Sequence, residues 1–395
     1  MSAMGTLNTR CVVFYFVTIL QLAFNVFAGT YGGGDGSPGN PYKIATVSHL
    51  LSLSQSPADS DKCFIMTADI NLSNQKFNTS VINSPFKGTF DGNGHKIQNF
   101  SIYQARFSYI GLFSSVDKNG QIKRLGVVNC SVSDSDEAPG HSIAVLVGYN
   151  SGTITHCYIM GGNVLGSKWS QFLGVLVGQN VGTINQCYAR IGTVYGNTYV
   201  GGLVGLNHGI INQSYAQVYV QASDDYVGGL VGMNWERGVV YQCYSASTFS
   251  RSKYDHVGGL ISYNIGSVNY CYWDAQLTFP YVKSSDGGCG RTTAQMKTAD
   301  TCIGWGGDEV WTVQEGIAYP QLAWENAGGQ VINNIPGDFT SPEGVDFLDF
   351  AYFAARWLNT NCAASCDCDG ADIDESGSID FADLAIFSEH WLECN

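Results

Sequence analysis

From residue 144 to residue 272 the chain repeats short apolar blocks set between glycines and asparagines. They align as Ala144-Val145-Leu146-Val147-Gly148, Gly174-Val175-Leu176-Val177-Gly178, Gly202-Leu203-Val204-Gly205, Gly229-Leu230-Val231-Gly232 and Gly259-Leu260-Ile261-Ser262. Two residues after each closing Gly or Ser stands an asparagine, Asn150, Asn180, Asn207, Asn234 and Asn264, at a spacing of 27 to 30 residues. Further on come Cys157, Cys187, Ser214, Cys243 and Cys271, each followed by tyrosine. No helical period runs through these blocks. Short β-branched runs bounded by turn residues predict strands.

A unit of this length is too short for a propeller blade and suits one coil of a parallel β-helix. The expected fold is mainly β, a right-handed parallel β-helix whose coils stack at strand spacing, roughly 4.8 Å, so that like residues form columns. The asparagines then read as an amide ladder at a turn. The cysteine column reads as a small buried position, because Ser214 replaces the thiol in one copy. Parallel stacking is awkward for disulfides between coils, so Cys289 and Cys302, outside the column, are expected to bridge.

Gly202-Leu203-Val204-Gly205 and Gly229-Leu230-Val231-Gly232 carry the Gly-Leu-any-Gly core of the GLUG motif, which this repeat resembles. The flanks resemble such proteins too. Upstream stand Asn40-Pro41-Tyr42-Lys43-Ile44, Ala68-Asp69-Ile70-Asn71-Leu72 and Phe86-Lys87-Gly88-Thr89-Phe90-Asp91-Gly92-Asn93-Gly94-His95; downstream stand Tyr272-Trp273-Asp274, Thr292-Thr293-Ala294-Gln295-Met296 and Tyr319-Pro320-Gln321-Leu322. The resemblance implies a structural repeat, which travels with many activities and specifies none.

After Pro336 the pattern changes to two loop-helix units 34 residues apart, with Phe347 matching Phe381 and Trp357-Leu358 matching Trp391-Leu392. From Pro336 to Asn395 there are 13 Asp/Glu and one Arg, so this stretch holds 12 of the 14 net negative charges. In the second unit Asp372, Asp374, Ser376, Ser378, Asp380 and Asp383 fall at positions 1, 3, 5, 7, 9 and 12 of a calcium loop, with Gly377 at the turn position 6. In the first unit Asp338, Thr340, Asp346 and Asp349 fall at positions 1, 3, 9 and 12, while Pro342 and Glu343 stand at positions 5 and 6 and predict the weaker site. Carboxylates that repel one another become favourable around a cation, so folding and calcium binding are expected to be linked. The duplicated unit resembles the dockerin-like type I repeat. That resemblance implies a small all-α calcium module and a cohesin-like protein partner. Phe347-Leu348 and Phe381-Ala382 stand where many dockerins carry small hydroxyl residues.

At the other end Arg10 precedes an apolar run from Cys11 to Ala28 that closes on Val26-Phe27-Ala28, the form of a secretory signal peptide. Export permits disulfides, and Cys362, Cys366, Cys368 and Cys394 are expected to form two bridges around the second loop. No other segment is apolar enough to insert in a membrane, and with a net charge of -14 no nucleic-acid partner is expected.

Candidate chemistry in the body is sparse. The zinc-peptidase pattern H-E-x-x-H is absent, and the seven histidines share no repeat column. Sugar cleavage needs two carboxylates about 5 to 9.5 Å apart, yet the outward strand positions Thr155, Asn185, Asn212, Tyr241 and Asn269, then His156, Gln186, Gln213, Gln242 and Tyr270, hold no acid. Asp134, Asp136, Glu137, Asp224, Asp225 and Asp255 fall in loops, as do Trp169, Tyr195, Tyr199, Tyr219, Tyr226, Trp235 and Tyr254, a possible platform for a polysaccharide ligand. The expected organisation is a signal peptide (1–28), an N-terminal cap region (29–108), repeats with an exit segment (109–325), a linker (326–337) and the calcium module (338–395). The expected role is a secreted, non-catalytic binding or structural body at the cell surface or in an extracellular assembly. A dockerin-borne polysaccharide lyase or glycoside hydrolase, or an adhesin, are the alternatives.

Overall fold

The computed structural model describes residues 29–135, 142–223, 226–249, 256–278 and parts of 282–325 and 330–391. The expected signal peptide lies outside them, as do Asp136, Glu137, Asp224, Asp225, Tyr254 and Asp255.

The body is a parallel β-solenoid of about seven turns. A nine-stranded parallel sheet runs from Tyr42–Ile44 through Thr153–Thr155 to Ser267–Asn269, so the N-terminal cap region and the repeats share one continuous sheet. Two six-stranded sheets follow each other along each coil, one holding Val200–Gly201 and the other Val204–Asn207. The helix Val47–Gln55, capped by the Thr46 hydroxyl accepting from His49 N, buries Leu50 and Leu53 in the main core beside the first strand.

The Gly-Leu-any-Gly core is the place where these two sheets fold back on each other. A Cβ on Gly201 would lie 2.0 Å from the Val204 carbonyl oxygen, and one on Gly205 would lie 2.4 Å from the Leu173 amide nitrogen. Backbone approaches backbone there, and only glycine leaves the room. Between them Leu203 and Val204 turn inward and are fully buried.

Columns satisfy themselves from coil to coil. Asn150, Asn180, Asn207 and Asn234 each donate Nδ2 to the Oδ1 of the next asparagine at 2.8 Å, ending at Asn264. The cysteine column works the same way. Cys157 N donates to Cys187 Sγ (3.4 Å), Cys187 N to Ser214 Oγ (3.1 Å), Ser214 N to Cys243 Sγ (3.4 Å) and Cys243 N to Cys271 Sγ (3.4 Å). A small side-chain acceptor is what the position requires, which explains why serine substitutes and why these cysteines remain thiols. The preceding corner, His156, Gln186, Gln213, Gln242 and Tyr270, adopts positive φ of 46 to 52°.

The tyrosines after that column form a second core on the outside of the sheet. Tyr158, Tyr188, Tyr215 and Tyr244 stack ring on ring at 5.3, 5.0 and 4.8 Å. The exit segment covers them with Met296, Cys302, Trp305, Trp311 and Leu322. A buried latch closes the strap. Glu325 accepts from Arg190 Nη1 (3.2 Å), Tyr215 Oη (3.0 Å) and Leu322 N (2.8 Å), and Tyr244 Oη donates to the Pro320 carbonyl (2.6 Å).

One expectation needs amending. Cys289 and Cys302 do not bridge: Cys302 keeps its thiol in the aromatic second core, while Cys289 is bonded elsewhere. Gln330–Val331, placed in the linker, pairs antiparallel with Trp311–Val313. In the tail, the helices Phe347–Ala354 and Phe381–Glu389 pack on a core of Val345, Phe353, Ile379 and Phe387, and Cys362 bridges Cys368. Cys366 and Cys394 lie outside the described residues.

Asn207 is fully buried and both accepts from Asn180 and donates to Asn234. Asn207→Ala strands both neighbours and should lower stability by about 1 to 3 kcal/mol, measured by denaturant unfolding of the full chain; an unchanged midpoint would refute the ladder's role. A second variant should move stability the other way. Ile191 is 75% exposed at φ 53°, on a corner where Asn99, Asn129 and Gly161 precede it. A β-branched residue is strained in that region, so Ile191→Asn should add about 1 kcal/mol.

Candidate metal centre

The second acidic loop is shaped by its glycine and its helix cap. Gly377 adopts φ 93°, which only glycine takes without strain, and this turns its amide onto Asp372 Oδ2 at 2.9 Å. At the loop's end Asp380 and Asp383 form a capping box on the helix Phe381–Glu389, with Ala382 N donating to Asp380 Oδ1 and Asp380 N to Asp383 Oδ2, both at 2.8 Å. Ile379 anchors the loop in the tail core and exchanges main-chain hydrogen bonds with Leu358 and Asn359.

These constraints bring Asp372, Asp374 and Asp383 together, with carboxylate oxygens from all three within 4.8 Å of one another. Asp374 is exposed, while Asp372 and Asp383 are buried. Asp372 Oδ1 is buried without a hydrogen-bond partner. Burial, then the neighbouring charges of Asp383 and Asp374, push the Asp372 carboxyl up to about 6. The Ser376 hydroxyl and amide hold Asp374 below the usual carboxylate range. A buried acceptor facing two further carboxylates, with no cationic side chain among the three, suits a hard divalent cation bound through oxygen.

The other predicted ligands separate into three groups. Ser376 lies on the loop and donates Oγ to the Ser378 carbonyl at 3.2 Å, and Asp380 accepts from Ala382 N through Oδ1 at the helix cap. Asp349 is buried in the first turn of the helix Phe347–Ala354. Asp338, Thr340 and Asp346 lie outside the described residues.

On the body, the suggested sugar platform is differently built. Phe172, Tyr199, Tyr226 and His256 stack in series at 5.5, 5.0 and 4.9 Å, so their flat faces cover one another. Trp169 is half-exposed, on a loop held by Ser167 and Ser170 hydrogen bonds to buried Asp134. The outward amides pair among themselves, Asn212 with Asn185 and Gln213 with Gln186 and Gln242. The residues that sequence reasoning missed are Arg190, Glu325 and the tyrosine column; the signal available was a tyrosine after every column cysteine.

No protein-family model matches the chain. Part of it is similar to halomucin of Haloquadratum walsbyi, 30% identical over 134 residues, which are 31% of this chain and 1% of that one. Part is similar to a candidate Gly-rich membrane protein of Evansella cellulosilytica, 30% identical over 157 residues, 36% of this chain and 17% of that one. The chain thus spans a small fraction of these relatives. Among solved structures, a candidate immunoglobulin A1 protease from Bacteroides ovatus superposes with a TM-score of 0.58 at 21% identity, over 74% of this chain and 95% of its own. At that identity the likeness shows the β-solenoid fold. Among the described residues, no helix is long and apolar enough to cross a membrane.

The raised Asp372 carboxyl sets a pH dependence. Between its ordinary value of 3.8 and about 6 the folded loop holds a proton that the unfolded chain releases, so metal-free stability of the tail should rise as pH falls through that window. Cation binding needs the ionised form, so calcium affinity should fall over the same range. Calorimetric titration from pH 7.5 to 5 checks this; affinity independent of pH would refute it.

Proposed function

We propose that the protein is an exported, non-catalytic β-solenoid attached to a cell-surface or extracellular assembly through a calcium-binding, dockerin-like module at its C-terminal end. The single observation that carries this reading is the convergence of Asp372, Asp374 and Asp383 around the unpartnered, buried Asp372 Oδ1. Ser376 and the Ser378 carbonyl stand on the same loop and would complete an oxygen shell. Asp349 and Val345, the latter in one core cluster with Ile379, hold in the first unit the places of Asp383 and Ile379, as a duplicated module requires. The Cys362–Cys368 bridge suits an oxidising compartment.

A binding or structural body agrees with side-chain columns whose polar groups are spent on each other. The partner fitting the dockerin-like reading is a cohesin-like protein. It would meet a module whose exposed Phe347 and Phe381 pack edge-on to Trp391 and Trp357.

In the full-length protein, calcium should raise the melting temperature of the tail transition and EDTA should lower it. Asp372→Ala or Asp383→Ala should abolish the tighter site by calorimetry, and Asp338→Ala should cost less. Identical melting in calcium and in EDTA would sink the metal reading.

A further inference from the structure

Among the described residues, a polar contact joins the acidic loop to the solenoid. Tyr270 Oη donates to the main-chain carbonyl of Asp372 at 2.9 Å. Tyr270 is the last residue of the left-handed corner column, with φ 50°. Its backbone is tied inward, because its carbonyl accepts from the indole Nε1 of buried Trp305 at 2.7 Å. Its ring lies edge-on to Tyr241, with centroids 5.8 Å apart. On the other side, Asp372 belongs to the three-carboxylate cluster and accepts from Gly377 N. A path of direct contacts therefore runs from the aromatic second core through Tyr270 to the loop.

We propose that cation binding in the loop and docking of the tail on the final coil are coupled, with Tyr270 as the coupling residue. This rests on the metal reading above and adds a regulation to that site. A divalent cation drawn among Asp372, Asp374 and Asp383 fixes the loop backbone that Tyr270 holds, and Tyr270 in turn offers the cation a loop already held in place. By linkage, the factor by which docking strengthens cation binding is the factor by which the cation strengthens docking. Calcium thus reports to the body whether the tail is seated. The same contact lends order to the last coil, whose strand Ser267–Asn269 ends the nine-stranded sheet.

The test uses the full-length chain and calcium alone. Tyr270→Phe keeps the ring against Tyr241 and removes only the hydroxyl. It should weaken calcium binding by about 2- to 10-fold, the equivalent of one neutral hydrogen bond. In the wild type, calcium should slow amide exchange across 267–274 relative to EDTA, and in Tyr270→Phe that slowing should be lost while the loop still binds calcium. Calcium bound equally by both proteins, or exchange in 267–274 indifferent to calcium in the wild type, overturns the coupling and leaves the metal reading standing. Absence of calcium binding in the wild type overturns both.

Discussion

In a parallel solenoid every side chain meets its own counterpart in the next coil, at about 4.8 Å. A column persists only if its residue can satisfy a copy of itself. Asparagine does so because its amide both donates and accepts, giving the 2.8 Å ladder from Asn150 to Asn264. Tyrosine does so by stacking. Cysteine and serine do so by accepting a neighbour's amide. Glycine does so at the fold between two sheets, where any Cβ would strike backbone.

Charge fails this requirement, since like charges would stack on like. Residues 1–335 accordingly carry a net charge of only -2, which is -14 less the -12 of the tail. Arg190 is the instructive exception. It sits between Met160 and Gln217 in its column rather than beside another cation, and it is matched by Glu325, which reaches it from the strap. Burial raises the Glu325 carboxyl above its ordinary range, against the opposing pull of Arg190, so the latch depends on Arg190 and the neighbouring donors to offset the cost of burying the acid.

The features legible in the sequence are those that repeat. The period, the asparagine ladder and the small thiol position could be read because five copies state them. The strap could not, because its residues occur once and carry no period. Its target was nonetheless written beside the cysteines as five tyrosines. The expected Cys289–Cys302 bridge failed for the same reason: cysteine counting says nothing of the aromatic core that encloses Cys302. In the tail, the convergence of Asp372, Asp374 and Asp383 was legible from loop spacing, whereas the capping box that Asp380 and Asp383 form was not, because one residue type serves both a cation and a helix cap. The Tyr270–Asp372 contact joins residues 102 apart that share no pattern.

The two ends of the solenoid are closed by different means, and the difference bears on why the tail lies where it does. A stack of parallel coils leaves a row of unpaired backbone groups at each end, a template for unwanted pairing. At the first coil the helix Val47–Gln55 buries two leucines beside the first strand, which is permanent apolar cover. At the last coil Cys289–Arg291 pairs with Tyr272–Asp274, the strap lies alongside, and the acidic loop touches the corner at Tyr270. The first coil is therefore covered by apolar side chains of a helix, whereas the last is covered by a paired strand, an aromatic strap and a polar contact with the acidic loop.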